Sequence, residues 1–185
     1  AEFDDAVSGI DPASTLVVIA SKTFTTQETM ANASAARRWI AASLGDEAIP
    51  RHFVAATANN TEAAAWGLPE CNVFPFAEWV GGRFSVWSSV GLPVAIGVGM
   101  PRFERFLAGA HAADLAFRST PLERNVPALA ALVGIWNRNF LGAPTLAVLS
   151  YASRLESLPA YLQQLEMESN GKRVDEHGHP VETPS

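Results

Sequence analysis

Leu16-Val17-Val18-Ile19-Ala20-Ser21-Lys22-Thr23-Phe24-Thr25-Thr26-Gln27-Glu28-Thr29 changes character in its middle, and that change decides the fold. The first five residues are a continuous apolar run rich in β-branched side chains, the pattern of a strand buried on both faces of a parallel sheet. Hydroxyl side chains and one lysine follow, and then a helical pattern begins. A strand that ends this way offers backbone N–H groups, the positive end of a helix dipole and a mobile cation, so the stretch reads as a phosphate cradle. Thr25 and Glu28 stand at the spacing of a capping box.

Outward from that stretch, residues 26–44 are Ala-rich, with Trp39 and Ile40 as large apolar residues, and Gly45 follows. This predicts an amphipathic helix with a glycine cap. Residues 52–57 read as a second strand, and Asn59-Asn60-Thr61-Glu62 opens a short helix that stops near Gly67. Strand and helix patterns alternate, as in an α/β fold. Residues 71–76 form a third strand candidate before the Gly81-Gly82 break, and the chain then turns helical. Residues 86–98 are apolar nearly all round and predict a core helix, kinked or restarted at Pro93. Residues 103–117 and 126–140 are further helix candidates, with Pro101, Pro121 and Pro127 near their starts, where a missing N–H costs little. Strand character returns at residues 145–150. Residues 155–169 predict a helix closed by Asn170-Gly171, which puts Glu168 in its last turn. Residues 173–185 are a polar turn, read either as a hairpin or as a disordered tail.

Composition narrows the function classes. A chain of 185 residues, 48% hydrophobic and 17% charged, fits one globular domain with a sizeable core. A net charge of -6 without a basic run argues against a nucleic-acid surface. The longest apolar run, residues 90–100, falls short of the roughly 18 residues of a membrane span, so none is expected. Cys71 stands alone and cannot form an internal disulfide, and the acidic Glu2-Phe3-Asp4-Asp5 start lacks the profile of a secretory signal. Both fit a cytoplasmic protein. Asn32-Ala33-Ser34 and Asn59-Asn60-Thr61 are taken as chance matches to a glycosylation triplet. His177 and His179 lie two apart in a turn without partners at metal-ligand spacing, so no zinc site is expected. His111 sits inside a helix pattern and is assigned a core or hydrogen-bonding duty. Gly97-Val98-Gly99 lacks the third glycine and the strand-to-helix context of a dinucleotide loop, so no nicotinamide cofactor is expected.

Two further segments carry chemistry: Gly81-Gly82-Arg83-Phe84-Ser85 and Met167-Glu168-Ser169-Asn170-Gly171-Lys172. Two glycines before Arg83 let the backbone approach a ligand and leave the guanidinium unobstructed. A carboxylate at a helix C-terminus, as predicted for Glu168, gains basicity from the unpaired carbonyls that face it. Gln164 lies one helical turn earlier on the same face. Alone, each segment also fits ordinary capping, salt-bridge or surface duty. Together and in this order, from about residue 11 to 172, they resemble the phosphoglucose isomerase family.

The resemblance implies a three-layer α/β/α sandwich of the sugar-isomerase (SIS) type, with a mostly parallel sheet and additional helices between residues 85 and 140. Residues 1–172 would be the isomerase-type domain and 173–185 a turn or tail. It implies interconversion of glucose 6-phosphate and fructose 6-phosphate through a cis-enediol, without metal or cofactor, by a homodimer that shares active-site residues. In that scheme Glu168 moves the proton between C2 and C1, and Arg83 stabilises the enediolate oxygen. Ser21, Lys22, Thr23 and Thr26 hold the substrate phosphate, and Gln164 contacts the sugar. Glu28 is either an outer acid or a capping carboxylate, and Leu165 stands where the family has a small residue. The family's upstream Gly-rich, Ser-containing segment and its downstream His and Lys are not among these residues. The expectation is therefore a fragment that isomerises poorly or not at all alone. The rival reading is a noncatalytic sugar-phosphate-binding SIS module of the regulatory kind. Arg83 and Glu168 oppose it, because a sensor needs no proton-transfer base.

Overall fold

A computed structural model describes residues 2–181 of the chain. The contacts divide it into two compact units, Ala1–Phe103 and Glu104–Ser185. Among the described residues no helix is long and apolar enough to cross a membrane.

The first unit is built on a parallel three-stranded sheet in the order β1 (Val17–Ala20), β2 (Phe53–Thr57), β3 (Val73–Pro75). The α/β expectation holds, and all three strands lie within the stretches read as strands. The register pairs Val17 with Phe53 and Ile19 with Ala55, so these four side chains share one face of the sheet. Two helices bury that face: α2 (Gln27–Leu44) through Ala33, Ala36 and Ile40, and α4 (Asn60–Ala65) through Ala63. The short helices α1 (Glu2–Ala6) and α3 (Ile49–His52) add Phe3 and Ile49 to the same cluster. Phe53 is fully buried, with its ring 5.3 Å from that of Trp66. Truncation of such a phenylalanine typically costs about 3–5 kcal/mol. The small residues on α2 let the helix lie close to the sheet, and Gly45, at φ 85°, ends it as expected. Asn59 caps α4 by accepting the Glu62 N–H at 3.2 Å.

Two sequence expectations fail in this unit. The capping box of Thr25 and Glu28 does not form. Thr26 is the N-cap of α2, with no side-chain cap bond, and the Thr25 hydroxyl turns back to Thr23 Oγ1 at 2.8 Å. Residues 86–98 are not one core helix. They are covered by 3-10 turns at Gly82–Trp87 and Ser89–Gly91 and by α5 (Leu92–Val98), which has no buried residue and restarts at Pro93. The break has a local cause, because the hydroxyls of Ser85 and Ser88 bond back to Gly82 O and Ser85 O and hold tight turns, while Ser89 Oγ reaches Phe74 O on β3.

In the second unit, α6 (Met100–Ser119), which starts in the first, leads to α7 (Val126–Ile135) through Asn125. This buried side chain donates to Phe117 O at 2.7 Å and Thr120 O at 3.3 Å, and accepts the Ala128 N–H at 3.2 Å. One residue thus ties the end of one helix to the start of the next. The pattern read as one helix over residues 126–140 changes to a π-helical turn at Trp136–Phe140, where Trp136 and Phe140 stack at 5.1 Å. Residues 145–150, expected as a strand, join no ladder among the described residues. Strand propensity becomes a strand only where a neighbouring backbone accepts its hydrogen bonds. The helix read at 155–169 is α8 (Leu158–Asn170), after a 3-10 turn at Ser153–Leu155. Val174 and Pro180 form an antiparallel bridge, the hairpin alternative for this segment; residues 182–185 lie outside the described residues.

Gly91 supplies a stability test. A Cβ there would lie 2.4 Å from Val86 O and 2.6 Å from the buried Phe103 ring. Gly91→Ala is expected to destabilise by about 1–3 kcal/mol, the usual cost of overpacking, measured by urea denaturation. An unchanged midpoint would contradict the packing.

Candidate functional site

The site begins where the β1–β2 ladder outruns its strands. The Ser21 N–H donates to Ala56 O at 3.1 Å, and the Ala58 N–H donates to Lys22 O at 3.1 Å. Thr57 Oγ1 also donates to Lys22 O at 3.2 Å, and Asn59 Nδ2 donates to Thr23 O at 3.1 Å. The carbonyls of the loop after β1 are therefore taken up by the turn after β2. On its other side, Ser21 Oγ accepts the Phe24 N–H at 3.1 Å and bonds Thr26 Oγ1 at 3.2 Å.

Phe24 reverses the loop. It has φ 57° and is the non-glycine residue with positive φ among the described residues. That conformation costs about 1–2 kcal/mol for an L-residue. Its ring points inward, 3% exposed, and meets Trp66 edge-on at 6.5 Å. Lys22, Thr23, Thr25 and Thr26 remain exposed on the outer side. The chain then enters α2, an 18-residue helix. The first-turn N–H groups of a helix have no intrahelical acceptor, and here no side chain caps them from Thr26. Such amides, with the dipole behind them, suit an oxyanion.

The second motif meets the first at Lys22. The Lys22 Cδ and Nζ atoms lie 3.7 and 3.8 Å from where a Gly81 Cβ would stand, so the lysine runs along Gly81 at ordinary van der Waals distance. Gly82, at φ 55°, opens the turn that carries Arg83, whose half-buried guanidinium lies 4.8 Å from the Phe84 ring centre. Ser89 Oγ donates to Phe74 O at 2.9 Å and ties this segment to β3. The loops after β1, β2 and β3 thus gather at the carboxyl ends of the parallel strands, where open α/β sheets bind ligands.

Of the expected site residues, Lys22, Thr23 and Thr26 line the outer face of this loop, and Lys22 adjoins the segment of Arg83. Ser21 is 7% exposed, with its hydroxyl engaged in holding the loop. Glu168 and Gln164 stand exposed on α8 of the second unit, Glu168 in its last turn. The Gly171 N–H closes that turn on Met167 O at 2.9 Å. Glu28 does not cap; it lines an open groove of about 410 Å³ beside β1 and α2, with Phe3, Val17, Ile19 and Ala36. Among the described residues no Lys or Arg lines that groove, so it does not suit a phosphate.

Sequence reasoning missed four supports: Phe24, Trp66, Arg37 and the Asn59 side chain. Asn59 carried a signal as a helix start, but its bond to Thr23 spans 36 residues and left no local trace. His111 is exposed on α6 and not in a core. His52 Nδ1 lies 2.8 Å from Thr15 O, a structural contact before β2. His177 and His179 surround Asp175, whose Oδ1 accepts both of their backbone N–H groups at 2.8 and 2.9 Å. No group of three or more His, Cys, Asp or Glu side chains suited to a metal occurs among the described residues.

A parallel α/β fold with its loops gathered at the strand ends defines a class, and comparison with known proteins defines the family. The chain matches phosphoglucose isomerase over residues 1–185. It belongs to the phosphoglucose isomerase family. It is 54% identical over its whole length to the glucose-6-phosphate isomerases of Brucella ovis (strain ATCC 25840) and Brucella abortus (strain S19), and covers 34% of each. The chain thus spans about a third of the length of these curated relatives. Among solved structures, it is similar to a glucose-6-phosphate isomerase from Chlamydia trachomatis, with TM-score 0.79 and 38% identity over 96% of this chain and 34% of that one. A hypothetical protein from Thermus thermophilus is similar with TM-score 0.82 and 34% identity, over 99% and 43% of the two chains.

The hairpin gives a pH test. Backbone bonds from His179 and His177 hold the Asp175 carboxyl below its ordinary value of 3.8. A depressed folded value means that the charged turn is favoured above 3.8 and lost as pH falls through the lowered value. The carboxyl-carbon NMR titration of Asp175 is expected to have its midpoint below 3.8. A midpoint at or above it would contradict the turn.

Proposed function

We propose that this chain contributes to an aldose-ketose isomerase that interconverts glucose 6-phosphate and fructose 6-phosphate, as the glucose-6-phosphate isomerases among its relatives suggest. The observation that carries the reading is the meeting of Lys22 with Gly81, which joins the anion loop to the segment of Arg83. Isomerisation of a sugar phosphate needs an anchor for the nonreacting end, a base and a positive group beside the developing oxyanion. The loop supplies the anchor: Lys22, the hydroxyls of Thr23 and Thr26 and the first turn of α2 bind the phosphate, while Ser21 shapes the loop from within. Glu168 takes the C2 proton, which leaves a cis-enediolate, and returns a proton to C1. Arg83 faces the oxygen on which charge develops and, being unable to give up its own proton readily, leaves the transfer to Glu168. Gln164 orients a sugar hydroxyl. The steps balance with no oxidant, metal or cofactor.

In this reading residues 1–172 are the isomerase-type portion, of the SIS kind, and 173–185 a turn after it. The exposed apolar faces of α5 and α7, with Ile96, Val133 and Ile135 each at least half exposed, are covered in a complete homodimer. An exposed free Cys71 fits a reducing, cytoplasmic setting.

In the protein expressed from its full-length gene, Glu168→Gln is expected to lower kcat by about 10²–10⁴-fold, the usual weight of a general base, with fructose 6-phosphate affinity retained by calorimetry. Unchanged turnover would remove Glu168 from the mechanism. A wild type that binds the sugar phosphate without isomerising it would favour the noncatalytic module.

A further inference from the structure

We infer that Phe24 is a positioning residue for the anion loop, with Trp66 and Arg37 as its seat, an inference that rests on the phosphate-binding role proposed for the loop. Phe24 has the side chain least suited to its backbone. A left-handed residue in a tight loop is usually glycine, or asparagine or aspartate, and a buried aromatic there persists only where its surroundings over-determine it.

Three contacts do so. The Phe24 N–H is held by Ser21 Oγ at 3.1 Å. The ring is 3% exposed and packs edge-on to Trp66 with centroids 6.5 Å apart. Trp66 is in turn fixed by Arg37 of α2, whose Nη1 donates to Trp66 O at 2.9 Å while its guanidinium carbon stands 5.0 Å above the indole. The prop runs from the body of α2 through Arg37 and Trp66 to Phe24, and so returns to the start of the same helix.

Phe24 separates the two halves of the cradle. Lys22 and Thr23 precede it; Thr25, Thr26 and the first N–H groups of α2 follow it. With the ring pulled inward and φ at 57°, the exposed polar residues on both sides face outward together. A relaxed backbone at this residue would rotate Thr25 and Thr26 relative to Lys22, so the lysine and the helix amides would no longer converge on one anion. Phe24 itself is buried and acts through the loop, without touching the ligand.

The test uses the protein expressed from its full-length gene, with Phe24→Leu, Phe24→Gly and Arg37→Met. Steady-state kinetics with fructose 6-phosphate are combined with competitive inhibition by inorganic phosphate, which probes the loop alone. Misplacement of a binding group by about 1 Å can cost up to about 10²-fold. On that scale, both Phe24 variants are expected to raise KM and the phosphate inhibition constant together by about tenfold, with kcat nearly unchanged. The glycine variant tolerates the left-handed backbone yet loses the anchor, so it is not expected to restore binding. Arg37→Met should move the same two constants in the same direction by a smaller factor. A purely structural role would lower the melting temperature and leave both constants in place, and that result overturns the inference. If neither Phe24 variant folds, Arg37→Met decides: unmoved constants overturn the inference, and raised ones support it. A wild type that neither isomerises nor responds to phosphate overturns the functional reading and this inference with it. An active wild type with unmoved variants overturns this inference alone.

Discussion

The loop after β1 hangs on the parallel register between β1 and β2. Val17 to Ala20 pair in step with Phe53 to Ala56, and the ladder continues through the Ser21 N–H and the Lys22 carbonyl. A slip of β1 by one residue against β2 would turn Val17 and Ile19 away from the core face that Phe53 and Ala55 share, exposing side chains that form the core. The hydrophobic face therefore fixes the register. The register in turn fixes which loop residues stand beside Thr57, Ala58 and Asn59. Core packing and site geometry are one constraint, and the loop inherits its precision from the sheet beneath it.

The loop shows how a chain of net charge -6 gathers hydrogen-bond donors and a cation locally, as the proposed anion site requires. Its carbonyls at Lys22 and Thr23 are already bonded, which removes negative dipole ends from the outer surface. What faces outward is a lysine, several hydroxyls and the N-terminus of an 18-residue helix. A helix N-terminus alone stabilises an exposed anion by only about 0.3–1 kcal/mol. In the proposed reading, binding depends on convergence of several donors, and convergence on the shape held by Ser21 and Phe24.

The sheet was legible because buried strands carry apolar runs, and Val17 to Ala20 and Phe53 to Ala56 are such runs; β2 is buried nearly throughout, whereas β1 buries Ile19 and leaves Ala20 exposed, so the expected burial of β1 on both faces is not met. Helix α2 was legible from small residues closed by Gly45. The failures have separate physical causes, some local and some distant. Residues 145–150 have the side chains of a strand but no neighbouring ladder among the described residues. Residues 86–98 carry the apolar surface of a core helix, yet serine hydroxyls hold their first part in tight turns and α5 stays exposed. Thr25 has the right spacing for a cap, but the reversal at Phe24 hands that position to Thr26. Residue types together with the family resemblance made Lys22, Thr23, Thr26, Arg83 and Glu168 candidates. The prop of Trp66 and Arg37 was invisible, because nothing local in either residue points to Phe24.

The central claim is that the loop after β1 is the phosphate anchor, and calorimetric titration with fructose 6-phosphate tests it most directly. The measurement compares the protein expressed from its full-length gene with its Lys22→Ala variant, both checked for folding by circular dichroism. The account predicts saturable binding by the unmodified protein and binding about tenfold or more weaker in the variant, since a charged hydrogen bond contributes roughly 1.5–3 kcal/mol. Equal affinity in two folded proteins would contradict it, and would place the phosphate elsewhere.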